Sequence, residues 1–153
     1  MKQLYIIYHS KTGNTKLLVD AAYAGATNKE LDPVKVTVMT AREAGPKELL
    51  EADGLILATP ENFGYMSGAL KDFLDRTFYE VEGQLNPLPY AVLISAGNDG
   101  SGALRAIERI ANGYPFIKVA EPIIAQGVPT DTDIEKSHDL GMTIAAGLAL
   151  GMY

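Results

Sequence analysis

The chain has no cysteine, no tryptophan, no excess of basic charge and no long apolar run. The missing cysteines exclude disulfides and thiolate metal sites, although they say little about compartment. Basic side chains number 13 against 19 acidic ones, for a net charge of −6 over 153 residues. That balance argues against a bare nucleic-acid or anionic-membrane binder, whose phosphate contacts need a basic patch. No apolar run approaches the ~18 residues of a membrane span. The chain also enters a strand at once, so neither a signal peptide nor a membrane anchor is expected, and the cytoplasm is the expected location. What remains is an ordinary globular composition, 47% apolar and 21% charged, of a length suited to one domain with a substantial core.

Strand-like and helical patterns alternate from end to end. Strands are predicted at Leu4–Tyr8, Val34–Met39, Gly54–Ala58, Tyr90–Ser95 and within Ile117–Ala125. Leu55-Ile56-Leu57-Ala58 and Ala91-Val92-Leu93-Ile94 are continuous rather than alternating, as in a parallel sheet covered on both faces. Helices are predicted at Asn14–Ala26, Pro46–Glu51, Ser67–Tyr79, Ser101–Asn112 and Thr132–Gly147. Ser67 and Ser101 are placed to cap helix N-termini, and Gly113 stands where a glycine commonly follows a helix. There is no linker or repeat. Five βα units with short connections predict a single α/β domain, a doubly wound sheet. A ligand of such a sheet binds outside the carboxyl ends of the strands, which singles out the loops Ser10–Thr15, Thr59–Tyr65 and Ala96–Ser101.

The first of these, SKTGNT, offers the hydroxyls of Ser10, Thr12 and Thr15 and backbone N–H groups around Gly13 at a helix N-terminus, a combination suited to phosphate. It matches neither G-x-x-x-x-G-K-[ST] nor G-x-G-x-x-G. The bland alternative is that Asn14 and Thr15 merely cap the helix. The second loop, TPENFGYMSG, carries Phe63 and Tyr65, large aromatics that no loop requires and that commonly stack on a flat ring. Its alternative is a Phe63 tucked beneath its own loop. The third, SAGNDGSG, has three glycines between Gly97 and Gly102, which let backbone approach a ligand closely but which a bare turn would also explain. A phosphate site, a stacking site and a close-approach edge on one crevice suit a mononucleotide with a planar polar ring.

YHSKTGNT, TPENFGYMSGALKDFLDRT and the C-terminal LGMTIAAGLALG resemble the flavodoxin superfamily over the whole chain. Within it the sequence is most similar to the tryptophan-repressor-binding proteins and related NAD(P)H-dependent FMN and quinone reductases. The resemblance implies a flavodoxin-like five-stranded parallel sheet in the order 2-1-3-4-5. It implies that Ser10, Lys11, Thr12, Gly13, Asn14 and Thr15 hold the phosphate of FMN. Thr59, Pro60, Glu61, Asn62, Phe63 and Gly64 would line the ribityl chain and ring, and Ala96, Gly97, Asn98, Asp99 and Gly100 would meet the ring's pyrimidine edge. NAD(P)H is the implied co-substrate. The chain is shorter than the repressor-binding group, with little room for an insertion between the fourth helix and the end of the fifth strand. A homodimer is compatible with the resemblance, since related reductases often complete the pocket with a neighbour's residues.

Other candidates read as structural. His9, between Tyr8 and Ser10, suits a loop residue more than a catalytic one, and His138 falls among charged residues of the last helix. Asp131, Asp133 and Glu135 sit where a helix dipole favours acids and need no metal. Flavin chemistry needs no protein acid or base, so no catalytic side chain is assigned. A receiver domain would need an acidic pair after the first strand and an Asp after the third. Tyr8-His9-Ser10 and Thr59-Pro60 stand there instead. Three functions compete: a reductase passing electrons from NAD(P)H to a quinone or similar small acceptor, a one-electron carrier between proteins, and a non-redox interaction module. Electron-carrier flavodoxins typically sandwich the ring between aromatics of the second and third loops. The third loop here has none, which leaves one ring face open for a nicotinamide or quinone and favours the reductase.

Overall fold

A computed structural model describes residues 1–153. The strands are β1 (Gln3–Tyr8), β2 (Lys35–Thr40), β3 (Gly54–Asn62), β4 (Tyr65–Met66), β5 (Leu88–Ala96), β6 (Phe116–Lys118) and β7 (Ile123–Gln126). The helices are α1 (Asn14–Ala26), α2 (Pro46–Glu51), α3 (Gly68–Val81), α4 (Ser101–Ala111) and α5 (Asp131–Ala149). The main sheet runs β2-β1-β3-β5, with β6 and β7 both parallel to the outer edge of β5. Counted as one interrupted strand, β6 and β7 complete the order 2-1-3-4-5.

The sheet nevertheless has seven strands where the sequence pattern predicts five. The expected fifth strand is interrupted because it carries two extra residues: Lys118 pairs with Tyr90 and Ile123 with Leu93, and Pro122, which has no N–H for a ladder, precedes the restart. The other addition is a hairpin: β3 continues through the expected loop to Asn62 and returns antiparallel as β4.

Alternation along each strand feeds two cores. Leu4, Ile6, Ile56, Ala58, Ala91 and Leu93 face α1 and α5, meeting Leu18, Val19 and Ile144. Their neighbours Tyr5, Ile7, Leu55, Leu57, Val92 and Ile94 face the opposite side, with Leu49, Phe73 and Ile107. The helix ends follow local chemistry. Ser67 accepts the Leu70 N–H as expected of a cap, and Thr130 and Asp133 cap α5 reciprocally. Ser101 does not cap α4; Gly100, with φ 72°, occupies that position. Gly113 does follow the C-cap Asn112, without adopting positive φ. No helix is long and apolar enough to cross a membrane.

Helices α1 and α5 touch backbone to backbone. A Cβ on Gly141 would lie 1.9 Å from the Ala22 carbonyl oxygen, and one on Gly25 at 1.9 Å from that of His138. Gly141→Ala is therefore expected to cost about 1–3 kcal/mol of stability by forcing the helices apart. Gly68→Ala, with nothing within 4 Å of the added carbon, should instead be neutral or gain up to about 1 kcal/mol. Denaturant titration of both variants checks the contrast.

Candidate functional site

The three loops leave the sheet at one edge, and each is held by a different device. In the first, Gly13 adopts φ 100° at the N-cap of α1, and as a glycine it offers the helix no side-chain cap. Ser10 Oγ instead accepts the N–H groups of Gly13 at 3.2 Å and Lys16 at 3.3 Å. The simple capping role considered for Asn14 and Thr15 is thus absent. Donors that could meet an anion are gathered on one half-buried hydroxyl oxygen. Lys11, Thr12 and Gly13 are exposed. Thr15 differs from these: it is buried, and its hydroxyl is 2.7 Å from that of Ser95 at the end of β5.

The second loop is a tight β-hairpin. Asn62 pairs with Tyr65, leaving Phe63 and Gly64 as a two-residue turn with φ 51° and 69°. Positive φ at both positions defines a type I′ turn, which normally takes Asn-Gly. Phe63 is the only non-glycine residue of the chain with positive φ, and it is fully exposed. It does not tuck beneath the loop. Thr59 is fully buried and anchors the hairpin base, donating to the Pro60 carbonyl and accepting the Ser67 N–H. The tip is fastened to α4: the Glu61 carboxylate accepts the Ala103 N–H at 3.0 Å, and a Cβ on Gly102 would lie 2.0 Å from the Gly64 oxygen.

In the third loop Gly97, Asn98 and Asp99 are exposed, while Ala96 and Gly100 are buried. The Asp99 carboxylate accepts both the backbone N–H and the hydroxyl of Ser101. Those bonds, with the nearby Arg105 charge, hold its pKa below the usual carboxylate value. A Cβ on Gly100 would lie 2.6 Å from an Ile124 methyl, so this loop lies close against β7.

A cleft of about 180 Å³ joins the loops. Lys11, Thr12 and Asn14 line it from the first, Pro60, Glu61 and Asn62 from the second, and Ser95, Ala96 and Gly97 from the third. Of the other candidate residues, Thr15 and Thr59 are buried behind these segments, Gly13 is exposed at the start of α1, and Ser10 lines a neighbouring cavity. Phe63, Gly64, Asn98, Asp99 and Gly100 form the hairpin tip and the adjoining turn. Two lining residues escape the sequence reading, Ser95 and Gly127. Gly127 has φ 75°, and its N–H bonds the Ala96 carbonyl at 2.7 Å. Its only sequence signal is a glycine one residue beyond the last apolar run, after Gln126.

His9 borders a separate cavity of about 350 Å³ with Ser10, Lys16 and Arg42. Its buried Nδ1 has no hydrogen-bond partner. Burial first, then the charges of Arg42 and Lys11, push its pKa below 6.5. His138 pairs only with Asp139 and lines none of these cavities.

A doubly wound sheet whose first, third and fourth βα loops close on one cleft defines a flavodoxin-like protein. The chain belongs to the NADPH-dependent FMN reductase family, which matches residues 3–122. A flavodoxin of Aquifex aeolicus (strain VF5) is 30% identical over 102 residues, covering 67% of this chain and 54% of its own. An NAD(P)H dehydrogenase (quinone) of Acidithiobacillus ferrooxidans is 32% identical over 95 residues, covering 50% of this chain and 48% of its own. The chain thus spans about half the length of the curated relatives it matches. The solved structure of a flavodoxin from the domain Archaea has a TM-score of 0.80 at 24% identity, covering 95% of this chain and 98% of that one.

The His9 geometry has a consequence for stability. An imidazole kept neutral in the fold binds its proton more readily in the unfolded chain, so stability falls as pH drops below the ordinary value of 6.5. Thermal melts between about pH 7 and pH 5 should show this loss, and His9→Gln should flatten that part of the profile.

Proposed function

We propose that the cleft holds FMN and that the protein is an NAD(P)H-dependent oxidoreductase reducing a quinone or a similar small acceptor. The observation that carries the reading is the meeting of three loops of distinct chemistry on one cleft. The donor set fits the cofactor. Lys11, Thr12 and Asn14, with the Gly13 and Lys16 amides and the positive end of α1, would receive the phosphate. Ser10, whose oxygen occupies those amides, would yield them to a stronger acceptor. Gly97 and Gly127 have nothing within 4 Å of where a Cβ would be, so backbone alone walls the far side.

The cleft is smaller than the ~300 Å³ of an ordinary ligand pocket. It would therefore take the phosphate and polyol chain, leaving the ring on the rim between Phe63 and Asn98. Acidic residues beside an anion site call for an explanation, and the structure offers one. Glu61, which lines the cleft, and Asp99 both accept donors at the start of α4, from Ala103 and Ser101. When bound, FMN supplies hydride acceptance and onward electron transfer. The protein's part is to bind, to orient through the phosphate, and to leave one ring face uncovered opposite Phe63. A one-electron carrier is the second reading, favoured by the flavodoxin relative and the net charge of −6. The third loop, without an aromatic, speaks against it.

FMN should bind on the order of a hundredfold tighter than riboflavin, the worth of two charge-assisted hydrogen bonds at about 1.5 kcal/mol each. Fluorescence quenching measures both constants, and equal values would remove the phosphate assignment. Phe63→Asn should separate folding from binding. Asparagine suits the left-handed turn, so the apoprotein should gain about 1 kcal/mol, while FMN affinity falls. An apoprotein destabilised by the change would show Phe63 to be structural.

A further inference from the structure

The cavity of about 350 Å³ beside His9 lies where β1 and β2 end against the start of α3. None of its lining residues lines the cleft, and the flavin reading leaves it unused. Its charged lining is entirely basic, His9, Lys16 and Arg42, in a protein with a net charge of −6. The Arg42 side chain forms no ion pair and no hydrogen bond. The neighbouring acids are taken: Asp20 pairs with Lys16, and Glu43 accepts the N–H and the hydroxyl of Thr40. On α3, Arg76 is bound to Asp72 and to the carbonyls of Ala41 and Ala44, which fixes the turn that carries Arg42. His9 is the unsatisfied member. Its Nδ1 is buried without a partner, and the charges that act on the ring, Arg42 and Lys11, are both positive. A buried nitrogen left unbonded costs stability unless something meets it.

We propose that this cavity is an oxyanion site, separate from the cleft, which takes a phosphate group, free or on a small ester, between Arg42, Lys16 and His9. The assignment stands apart from the flavin reading and uses other side chains. Arg42 offers a planar fork of donors suited to phosphate. Lys16 adds a point charge, and its surface pair with Asp20 is of a kind worth little in water, so the ammonium is free to turn inward. His9 supplies the third partner by taking up a proton, since both ring nitrogens donate in the imidazolium. Without an anion, burial and the like charges of Arg42 and Lys11 keep the ring neutral. With one, the same charges act together on the ligand. Two negative charges answer this set better than the single charge of a carboxylate. The cavity is larger than a bare phosphate fills, and Tyr8, Ala41 and Ala69 line the remainder, which suits a short organic body. A lone water is the poorer occupant, because it would satisfy the nitrogen and leave the cations unanswered.

Calorimetric titration of sulfate, inorganic phosphate and glycerol 3-phosphate into the FMN-loaded protein, with the apoprotein in parallel, tests the site. Each probe should bind once and weaken as salt is raised. Sulfate keeps both charges between about pH 6 and pH 8, so a proton taken up with it belongs to the protein, and histidine is the side chain that titrates there. Sulfate should bind more tightly at the lower pH and, in buffers of different ionisation heat, draw a proton. His9→Gln should remove both effects. Arg42→Gln should weaken all three probes about tenfold or more, while Lys47→Gln, outside the cavity, should change nothing. Glycerol 3-phosphate binding ahead of phosphate identifies an ester as the ligand; the reverse order identifies free phosphate, and either supports the site. Failure of all three probes to bind, or binding that neither substitution alters, would overturn it, as would sulfate binding without proton uptake. Probes that bind the apoprotein but are excluded by FMN would also overturn it, by placing the anion on the cofactor's own loop. Melting curves of both variants separate a folding defect from lost affinity. Failure of FMN to bind strikes the flavin reading alone, since the apoprotein titration still reports on the cavity.

Discussion

Parallel pairing of β1, β3 and β5 is the constraint on which the site depends. Tyr8 lies opposite Ala58, and Pro60 opposite Ser95, so the three strands finish within a few residues of one another at one edge. Each chain must then turn back over a face of the sheet, and the helix that follows begins at that same edge. Donors of helix N-termini and glycine-bearing turns therefore collect at one place. The Thr15–Ser95 hydroxyl contact ties the first helix to the third of these strands at the cleft floor. The Glu61–Ala103 bond and the close Gly64–Gly102 approach tie the second loop to the helix after the third. The loops are fixed to one another rather than to the sheet alone.

This rigidity is uneven in a way that bears on function. Glu61, Thr59 and Asp99 spend their polar atoms on backbone groups, which holds the walls. Phe63 has no contact comparable to these; it stands in solvent on a backbone conformation that disfavours it. Local strain of this kind, of order 1–3 kcal/mol, persists where the surrounding structure enforces it, commonly at binding sites. Charge is sorted similarly. The Glu61 and Asp99 carboxylates accept backbone N–H groups at the start of α4, and the Arg105 charge on that helix also acts on Asp99.

Much of this was legible in the residues. The bounds of α1 and α2 coincide with their sequence pattern, because Gly13 and Gly45-Pro46 mark their starts. The continuous apolar runs of β3 and β5 correctly announce burial on both faces. The misses have physical causes. Phe-Gly is not a recognised type I′ pair, so the hairpin at 59–66 reads as a loop until Asn62 is seen opposite Tyr65. Two extra residues between Lys118 and Ile123, ending at Pro122, divide the last strand, a break that an apolar run alone does not show. Ser101 looks like a cap, but the left-handed Gly100 and the Asp99 carboxylate fill that role. Gly127 joins the cleft only through tertiary folding, since its place beyond the last strand does not by itself show which loops it meets. The phosphate, ring and pyrimidine-edge roles of individual residues came from resemblance to a family, not from spacing.

The central claim is that the cleft presents FMN with one face open to a nicotinamide donor. Anaerobic mixing of the FMN-loaded protein with NADPH, followed in the visible spectrum, tests it most directly. The account predicts bleaching of the oxidised flavin bands and their return when a quinone is added. A bound flavin that stays oxidised under excess NADPH and NADH, yet exchanges electrons readily with a reduced protein partner, would contradict it.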